Sequence, residues 1–392
     1  MAVVGIFGLN LSPRSGGVYR LMEGLARQGG LSRHRIVYTR EAEPGGGEPF
    51  DTADNVRIVT GPRWLRQAIQ LSVAVPGASR WWGSRRFSAA AMGLIWRLSR
   101  ADLDAVRGVD VWLWPHCFRP VPNLGGHMVV SHDMIHRALP ELFSAGARRC
   151  RAASEAMLTD ARRVVCPSKA SADDLTEAYP ALASRVRTFS AAPPQALPTI
   201  DEAEVEAVRT DYGGHPILLF VGVDWPHKNH GLLVEVARRM RGAGRSFRVV
   251  FAGHRRGGQV GEMVAAAGVG DVVTDEGQVS IDRLAALYAA ATALVFPSRR
   301  EGFGLPLVEA MQAELPIVAA RSACVEEVLG GAGELLDGDD AEAWARTLGA
   351  LLDDPARRHA LAARGAERRD HYTWARTWAS LDAIFDEVVE SG

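Results

Sequence analysis

The chain has 392 residues, enough for two domains, and 47% of them are hydrophobic, so each half can bury a core. A net charge of −1 argues against a protein that coats nucleic acid over its whole surface. The scattered cysteines lack metal-ligand spacing, which favours a reducing cytoplasm; they are Cys117, Cys150, Cys166 and Cys324. The short apolar N-terminus lacks a basic leader, so we expect a first strand and no signal peptide. No apolar run reaches the roughly 18 residues that span a bilayer.

Strand-like and helix-like patterns alternate along the chain, which is typical of open, mostly parallel α/β sheets. The first half predicts strands near 3–9, 35–39, 56–60, 109–114, 127–131 and 163–167. A proline-rich stretch at 191–198 has linker composition. A second series predicts strands near 217–222, 248–253, 272–273, 293–297 and 316–320. We therefore predict two Rossmann-like, doubly wound domains facing a cleft, with ligands bound beyond the carboxyl ends of the strands.

Two glutamates, Glu301 and Glu309, bracket a glycine-rich turn and are separated by seven residues. The turn, Gly302-Phe303-Gly304-Leu305, follows an apolar strand and opens a helix-like run. Such a loop directs backbone N–H groups and a helix N-terminus at one spot, which favours an anion such as a diphosphate. Both glutamates can accept hydrogen bonds from ligand hydroxyls across that helix end. For the two glutamates alone, the alternative is an ordinary βαβ turn with exposed acids.

This stretch resembles the signature of retaining GT-B glycosyltransferases of family 4, the mannosyltransferase-like group 1. The resemblance implies that Glu301 contacts the hydroxyls of the donor sugar and that Glu309 binds the ribose. It also implies that the turn gives N–H groups to the phosphates and that the last helix crosses back onto the N-terminal domain. We accordingly predict an acceptor domain at 1–195 with the crossover helix 373–392, and a donor domain at 196–372.

The loop that follows the strand at 217–222 resembles the family's strand-end loop with a phosphate-binding lysine, here Lys228. A lysine there is a compact charge aimed at the departing diphosphate. Many relatives carry an arginine just before this lysine. His227 stands at that place and supplies a second cation only when it is protonated. A solvated loop lysine is the alternative interpretation of Lys228.

Two predicted strand ends of the first half extend the resemblance. Gly16 and Gly17 lie between the first strand and the first helix, where glycines let the backbone approach the donor diphosphate closely. His132 follows another apolar strand and matches the histidine with which the family meets the donor sugar, although a lone histidine at a strand end is often structural. Asp133 is either an acceptor contact or a helix cap.

Gly277 and Val279 stand where relatives hold the nucleotide base with backbone groups and an apolar side chain. Two segments, 102–104 and 337–340, spell the Asp-X-Asp pattern that binds a divalent metal in other glycosyltransferases. We interpret the first as a solvated helix face and the second as the N-cap of the following helix. The GT-B pattern uses lysine and backbone dipoles for the leaving group, so we expect no metal cofactor.

The stretch from Asn55 to Ala101 contains no acidic residue and combines eight arginines with tryptophans such as Trp64, Trp81 and Trp82. It fits contact of residues 57–100 with an anionic membrane or a lipid-linked acceptor, which would place the protein peripherally on the inner membrane face. It also fits stacking on nucleic acid, or an aromatic core below a solvated arginine face. Nucleic acid is not an expected partner.

Together with these patterns, the family resemblance implies a retaining, metal-independent glycosyltransferase with Glu301, Lys228 and His132 as catalytic residues. It would move a hexosyl group from a nucleotide diphosphate sugar to a hydroxyl of a saccharide, lipid-linked or natural-product acceptor. Its His-Asp and Lys-Asn segments look more like mannosyl- or deoxyhexosyl-transferring relatives, which favours GDP-mannose over UDP- and TDP-sugars. The family implies front-face attack, with the leaving phosphate taking the acceptor proton. The alternatives are a nucleotide-sugar epimerase and a non-catalytic sugar-nucleotide-binding assembly partner.

Overall fold

A computed structural model of the chain describes residues 1–8, 17–41, 53–61, 100–115, 126–193, 197–255 and 259–391. The chain divides into a first unit, Met1–Pro194 with Thr373–Gly392, and a second unit, Gln195–Tyr372. The described residues of each unit form one parallel sheet with helices between its strands. Two α/β domains of this kind confirm the predicted fold class.

The sheet of the first unit has the strand order β3-β2-β1-β4-β5-β6-β7, counted over the described residues. Its strands are β1 (Val3–Phe7), β2 (Arg35–Glu41), β3 (Val56–Gly61), β4 (Val111–Pro115), β5 (Gly126–Val130), β6 (Arg163–Cys166) and β7 (Val186–Thr188). The helices between them are α1 (Gly17–Arg27), α2 (Arg100–Arg107), α3 (Ile135–Ala138), α4 (Ala145–Asp160) and α5 (Lys169–Ala178).

Apolar side chains fill the space around the central strands of this sheet. Phe7 stacks on Trp114 with 4.0 Å between ring centroids, and Trp112 meets Phe7 edge-on at 6.5 Å. All three side chains are buried. Parallel strands are covered on both faces, which is why they were visible in the sequence as almost continuous apolar runs.

The second unit has the strand order β10-β9-β8-β11-β12-β13, again over the described residues. Its strands are β8 (Ile217–Val221), β9 (Arg248–Ala252), β10 (Val273–Gly277), β11 (Ala293–Phe296), β12 (Ile317–Ala320) and β13 (Glu334–Leu336). Its helices are α6 (Glu202–Asp211), α7 (His230–Gly242), α8 (Gln259–Ala267), α9 (Ile281–Ala290), α10 (Leu305–Gln312), α11 (Ala323–Leu329), α12 (Ala341–Asp353) and α13 (Pro355–Arg369). Every predicted strand has an observed counterpart, whereas β7 and β13 were not predicted.

The C-terminal helix, α14 (Trp374–Glu390), packs on the first unit, as the family resemblance implied. The carboxylate of Asp382 accepts hydrogen bonds from the Ser32 hydroxyl at 2.7 Å and from the Arg33 N–H at 2.9 Å. The Thr377 hydroxyl donates to the Ser190 carbonyl at 2.5 Å. These bonds, together with the buried Trp378 side chain, attach the last helix to residues far away in sequence.

Several predictions concern residues outside the described ranges. Gly16 is one of them, and of the proposed membrane-contact stretch only 57–61 and 100 are described. Within the described part of the chain, no helix has the length and apolarity required to cross a membrane.

Candidate functional site

The loops after β8 and β11 lie at the point where the strand order of the second sheet reverses. These two strands are neighbours, although β9 and β10 come between them in sequence. In open α/β sheets, the crevice at such a switch point is where ligands bind. The loop after β8 contains Lys228 and the loop after β11 contains Glu301. The topology therefore brings together two predicted site residues that are 73 positions apart.

Lys228 and Glu301 form a direct ion pair within the second unit. The Lys228 Nζ atom donates to Glu301 Oε1 at 2.6 Å, and the two side chains are only 13% and 9% exposed. The ammonium also lies 5.3 Å from the centroid of the Phe296 ring. A further bond, from the Arg299 N–H to the His227 carbonyl at 2.9 Å, joins the two loops. His227, considered as a second cation, is buried.

The glycine-rich turn leads into α10 through a left-handed backbone. Gly304 has φ 91°, a conformation that side-chain-bearing residues rarely adopt, and Pro306 lies in the first turn of the helix. The neighbouring Phe303 is buried against Tyr372, with 5.5 Å between ring centroids. Its carbonyl accepts a hydrogen bond from the Cys324 thiol at 3.3 Å. The turn is thus held in place beside the positive end of a helix, the environment that attracts an anion.

Glu309 lies inside the second unit, although the sequence suggested an accessible carboxylate on α10. Its exposure is 0%, and Oε2 accepts a 2.9 Å hydrogen bond from the Tyr288 hydroxyl on α9. A ribose hydroxyl would reach this carboxylate only after neighbouring side chains move. Sequence reasoning missed Tyr288; the signal was a polar hydroxyl on the otherwise apolar face of 284–290.

The predicted base-binding residues follow at the end of β10. Gly277 is the last residue of that strand, and Val279 lies between it and α9. The Gly277 carbonyl accepts from the Gly253 N–H at 2.7 Å, which joins the ends of β9 and β10. A Cβ atom on Gly253 would meet the Gly222 carbonyl oxygen at 2.0 Å, so the loops after β8 and β9 are in tight backbone contact. Gly277 therefore lies at the same edge of the sheet as the loop that contains Lys228.

The remaining predicted residues belong to the first unit. Gly17 is the first residue of α1. His132 follows β5, and its carbonyl accepts a hydrogen bond from the Ser171 hydroxyl at 3.3 Å. Asp133 accepts from the Ile135 N–H at 3.1 Å at the start of α3 and pairs with Arg151 at 3.4 Å. The aspartate thus has a local backbone contact of the kind expected near a helix start.

A charged cluster that the sequence did not indicate surrounds the buried carboxylate of Glu155 and includes residues that follow His132 in the chain. Glu155 accepts hydrogen bonds from His136 at 2.5 Å, from Arg137 at 2.6 Å and from the Tyr179 hydroxyl. Burial alone would raise the pKa of Glu155, but these hydrogen bonds outweigh it and lower the pKa to about 2. The cluster connects α3, α4 and the residue that follows α5.

The two Asp-X-Asp segments have structural partners. Asp340 caps α12 by accepting from the Ala343 N–H at 2.9 Å, which confirms the predicted N-cap. Asp339 pairs with Arg299 at 2.8 Å, and Asp102 pairs with Arg57 at 2.8 Å. Among the residues that the structure describes, no group of three or more His, Cys, Asp or Glu side chains is arranged to hold a metal ion.

Two Rossmann-like units, with a last helix that returns to the first, define the GT-B class of fold. Residues 201–368, which lie in the second unit, match the family model described as glycosyl transferases group 1. A solved structure shares the fold: sucrose-phosphate synthase from Thermosynechococcus elongatus superposes over 100% of both chains with a TM-score of 0.72 at 17% identity.

The names of curated relatives are more specific than the description of the family model. The D-inositol 3-phosphate glycosyltransferase of Salinispora tropica is 33% identical over 265 residues, which cover 60% of this chain and 53% of that protein. This chain thus spans about half the length of that relative. The enzyme of the same name from Corynebacterium efficiens is 26% identical over 403 residues, which cover 96% of this chain and 91% of that enzyme.

Proposed function

We propose that this protein is a retaining glycosyltransferase that moves a hexosyl group from a nucleotide diphosphate sugar to a hydroxyl acceptor. The observation that carries the proposal is the Lys228–Glu301 pair at the switch point, next to the glycine-rich turn and the start of α10. A cation, backbone N–H groups and a helix dipole lie together there. Such groups stabilise the negative charge of a departing diphosphate. The family match of the second unit and the names of the relatives support the same reading.

In this proposal Lys228 and the N–H groups of residues 302–305 stabilise the negative charge that develops on the leaving diphosphate. Glu301 orients the sugar through its hydroxyls, and Glu309 holds the ribose once the site has opened toward it. From the first unit, Gly17 with Gly16 approaches the diphosphate, His132 meets the sugar and Asp133 contacts the acceptor. We assign the acceptor proton to the leaving phosphate, with retention of configuration and without a metal.

For the donor we propose GDP-mannose, on the likeness of the segments around His132 and Lys228 to mannosyl-transferring enzymes. For the acceptor, the relatives' name adds a phosphorylated cyclitol to the saccharide and lipid-linked classes. The base contacts proposed for Gly277 and Val279 involve backbone and apolar groups, which fit more than one base. The donor therefore has to be identified by a panel that includes GDP-, UDP- and TDP-sugars.

The test is turnover of that panel by the purified protein with a chelator present, beside the Lys228→Ala variant. We expect one donor to be hydrolysed or transferred with an unchanged anomeric configuration, and Lys228→Ala to lose about 10²- to 10³-fold in kcat. The chain contains only two lysines, so Lys169→Ala is the matched control. Lys169 is 75% exposed on the first unit, and its loss should leave turnover unchanged.

Four results would overturn parts of the proposal. An inverted product would exclude retention, and a requirement for a divalent ion would exclude the metal-free mechanism. Conversion of the donor into its epimer, with the nucleotide still attached and without any acceptor, would indicate an epimerase. Failure of the folded protein to bind any nucleotide sugar would exclude the donor site itself.

A further inference from the structure

The charge of the Lys228 ammonium is balanced by a carboxylate of the protein itself. Its partner Glu301 lies at 2.6 Å, and both side chains are largely withdrawn from water. The pair lies beside the Phe296 ring, where a charge without its partner is poorly solvated. Any anion that uses Lys228 must therefore compete with the carboxylate of Glu301.

The two ligands of the proposed reaction differ in what they offer to that carboxylate. A nucleoside diphosphate brings negative charge to Lys228 but no sugar hydroxyl to Glu301, so it separates Glu301 from Lys228 and leaves the carboxylate unpaired beside the phosphates. A nucleotide sugar brings the same diphosphate together with hydroxyl groups. Those hydroxyls can donate hydrogen bonds to the carboxylate and replace the ammonium that it has lost.

We propose that Glu301 discriminates the nucleotide sugar donor from the nucleoside diphosphate product by competing with the product for Lys228. This inference rests on the proposed function, because it assumes that the diphosphate binds at Lys228. When the sugar has been transferred, Glu301 loses its hydroxyl partners and takes the lysine back. The ion pair thereby weakens product binding and favours release of the spent nucleotide.

The test compares affinities for matched ligand pairs by calorimetry: GDP with GDP-mannose, UDP with UDP-glucose and TDP with TDP-glucose. Glu301→Gln removes the negative charge at nearly constant shape. We expect its affinity for the diphosphate to rise by about fivefold or more, whereas its affinity for the sugar nucleotide stays equal or falls. The wild-type preference for the donor over the product should therefore shrink or reverse.

The matched control is Glu314→Gln, because Glu314 is 61% exposed, pairs with Arg369 and follows the far end of α10. It removes one negative charge from the same unit, and it should leave both affinities unchanged. Thermal unfolding of the variants, at midpoints close to the wild type, establishes that the compared proteins are folded.

Each of the other outcomes would overturn the proposed discrimination. An unchanged or weaker affinity of Glu301→Gln for the diphosphate would overturn the competition. An equal gain for both members of a pair would show general charge repulsion and would overturn the discrimination. Absence of wild-type binding to all six ligands would instead overturn the proposed function, and this inference with it.

Discussion

The hydroxyl of Tyr288 donates a hydrogen bond of 2.9 Å to the carboxylate of Glu309, and neither side chain is more than 1% exposed. This bond connects α9, which follows the predicted base-binding residues, with α10, which follows the glycine-rich turn. A buried carboxylate is costly unless hydrogen bonds satisfy it. Tyr288 therefore holds in place the glutamate to which the family resemblance assigns the ribose.

Replacing Tyr288 by Phe should destabilise the protein by about 1–3 kcal/mol, because one oxygen of a buried carboxylate loses its donor. Glu309→Gln removes the buried charge, so Tyr288→Phe should destabilise the Glu309→Gln protein less than it destabilises the wild type. We therefore expect the double variant to be less destabilised than the sum of the two single variants, as measured by urea unfolding. Additive effects would contradict a direct dependence of Glu309 on Tyr288.

The turn before α10 should be sensitive to a single methyl group. Gly304→Ala places a side chain at φ 91° and 3.0 Å from Leu307, which should cost about 1–3 kcal/mol of stability. Donor affinity should fall as the turn shifts. Gly242→Ala is the control, because among the described residues no atom beyond the neighbouring residues and the helix's own backbone lies within 4 Å of the added Cβ, and the site is the last turn of α7. An equal response of the two variants would refute the special role of the turn.

His230, buried between the rings of Phe220 and Phe251, should make stability depend on pH. Burial lowers the pKa of His230 to about 4, helped by Arg255 and Lys228 and opposed by Asp224 and Asp275. The unfolded chain, with a histidine pKa of about 6.5, binds the proton first as pH falls. As far as His230 is concerned, the free energy of unfolding is therefore highest above about pH 6.5 and decreases as the pH falls toward 4.

Chemical unfolding at several pH values checks this prediction. The free energy of unfolding of His230→Gln should change less between pH 7 and pH 5 than that of the wild type. The difference between the two slopes is at most about 1.4 kcal/mol per pH unit for one proton. Identical slopes would mean that His230 takes up its proton in the folded state as readily as in the unfolded chain.

Glu155 should make stability depend on pH in a lower range than His230 does, because it is a carboxylate with a lowered pKa. Its pKa of about 2 lies below the unfolded value of about 4.3, so its stabilising effect is present above pH 4.3. That effect is lost as pH falls toward 2. The difference in unfolding free energy between the wild type and Glu155→Gln should therefore shrink across this window. A constant difference would contradict the lowered pKa.

Local sequence patterns predicted much of the fold. The central strands of both sheets are apolar runs, such as 111–114 in the first and 217–221 in the second, because strands covered on both faces can expose no polar side chain. The three-residue strands β7 and β13 escaped prediction. Both lie at sheet edges and contain no fully buried residue, so they lack the apolar signal.

The sequence by itself determined the alternation of strands and helices, the glycine-rich turn and the identity of Lys228, Glu301 and Glu309 as candidates, because these are properties of local spacing and residue type. Only the tertiary structure decided that Lys228 and Glu301 meet at 2.6 Å and that Glu309 is sealed against Tyr288. Contacts across 73 and 21 positions depend on where the sheet reverses its strand order and on how the following helices pack. Neither is encoded in any short stretch of the chain, since both follow from burying all the apolar faces together.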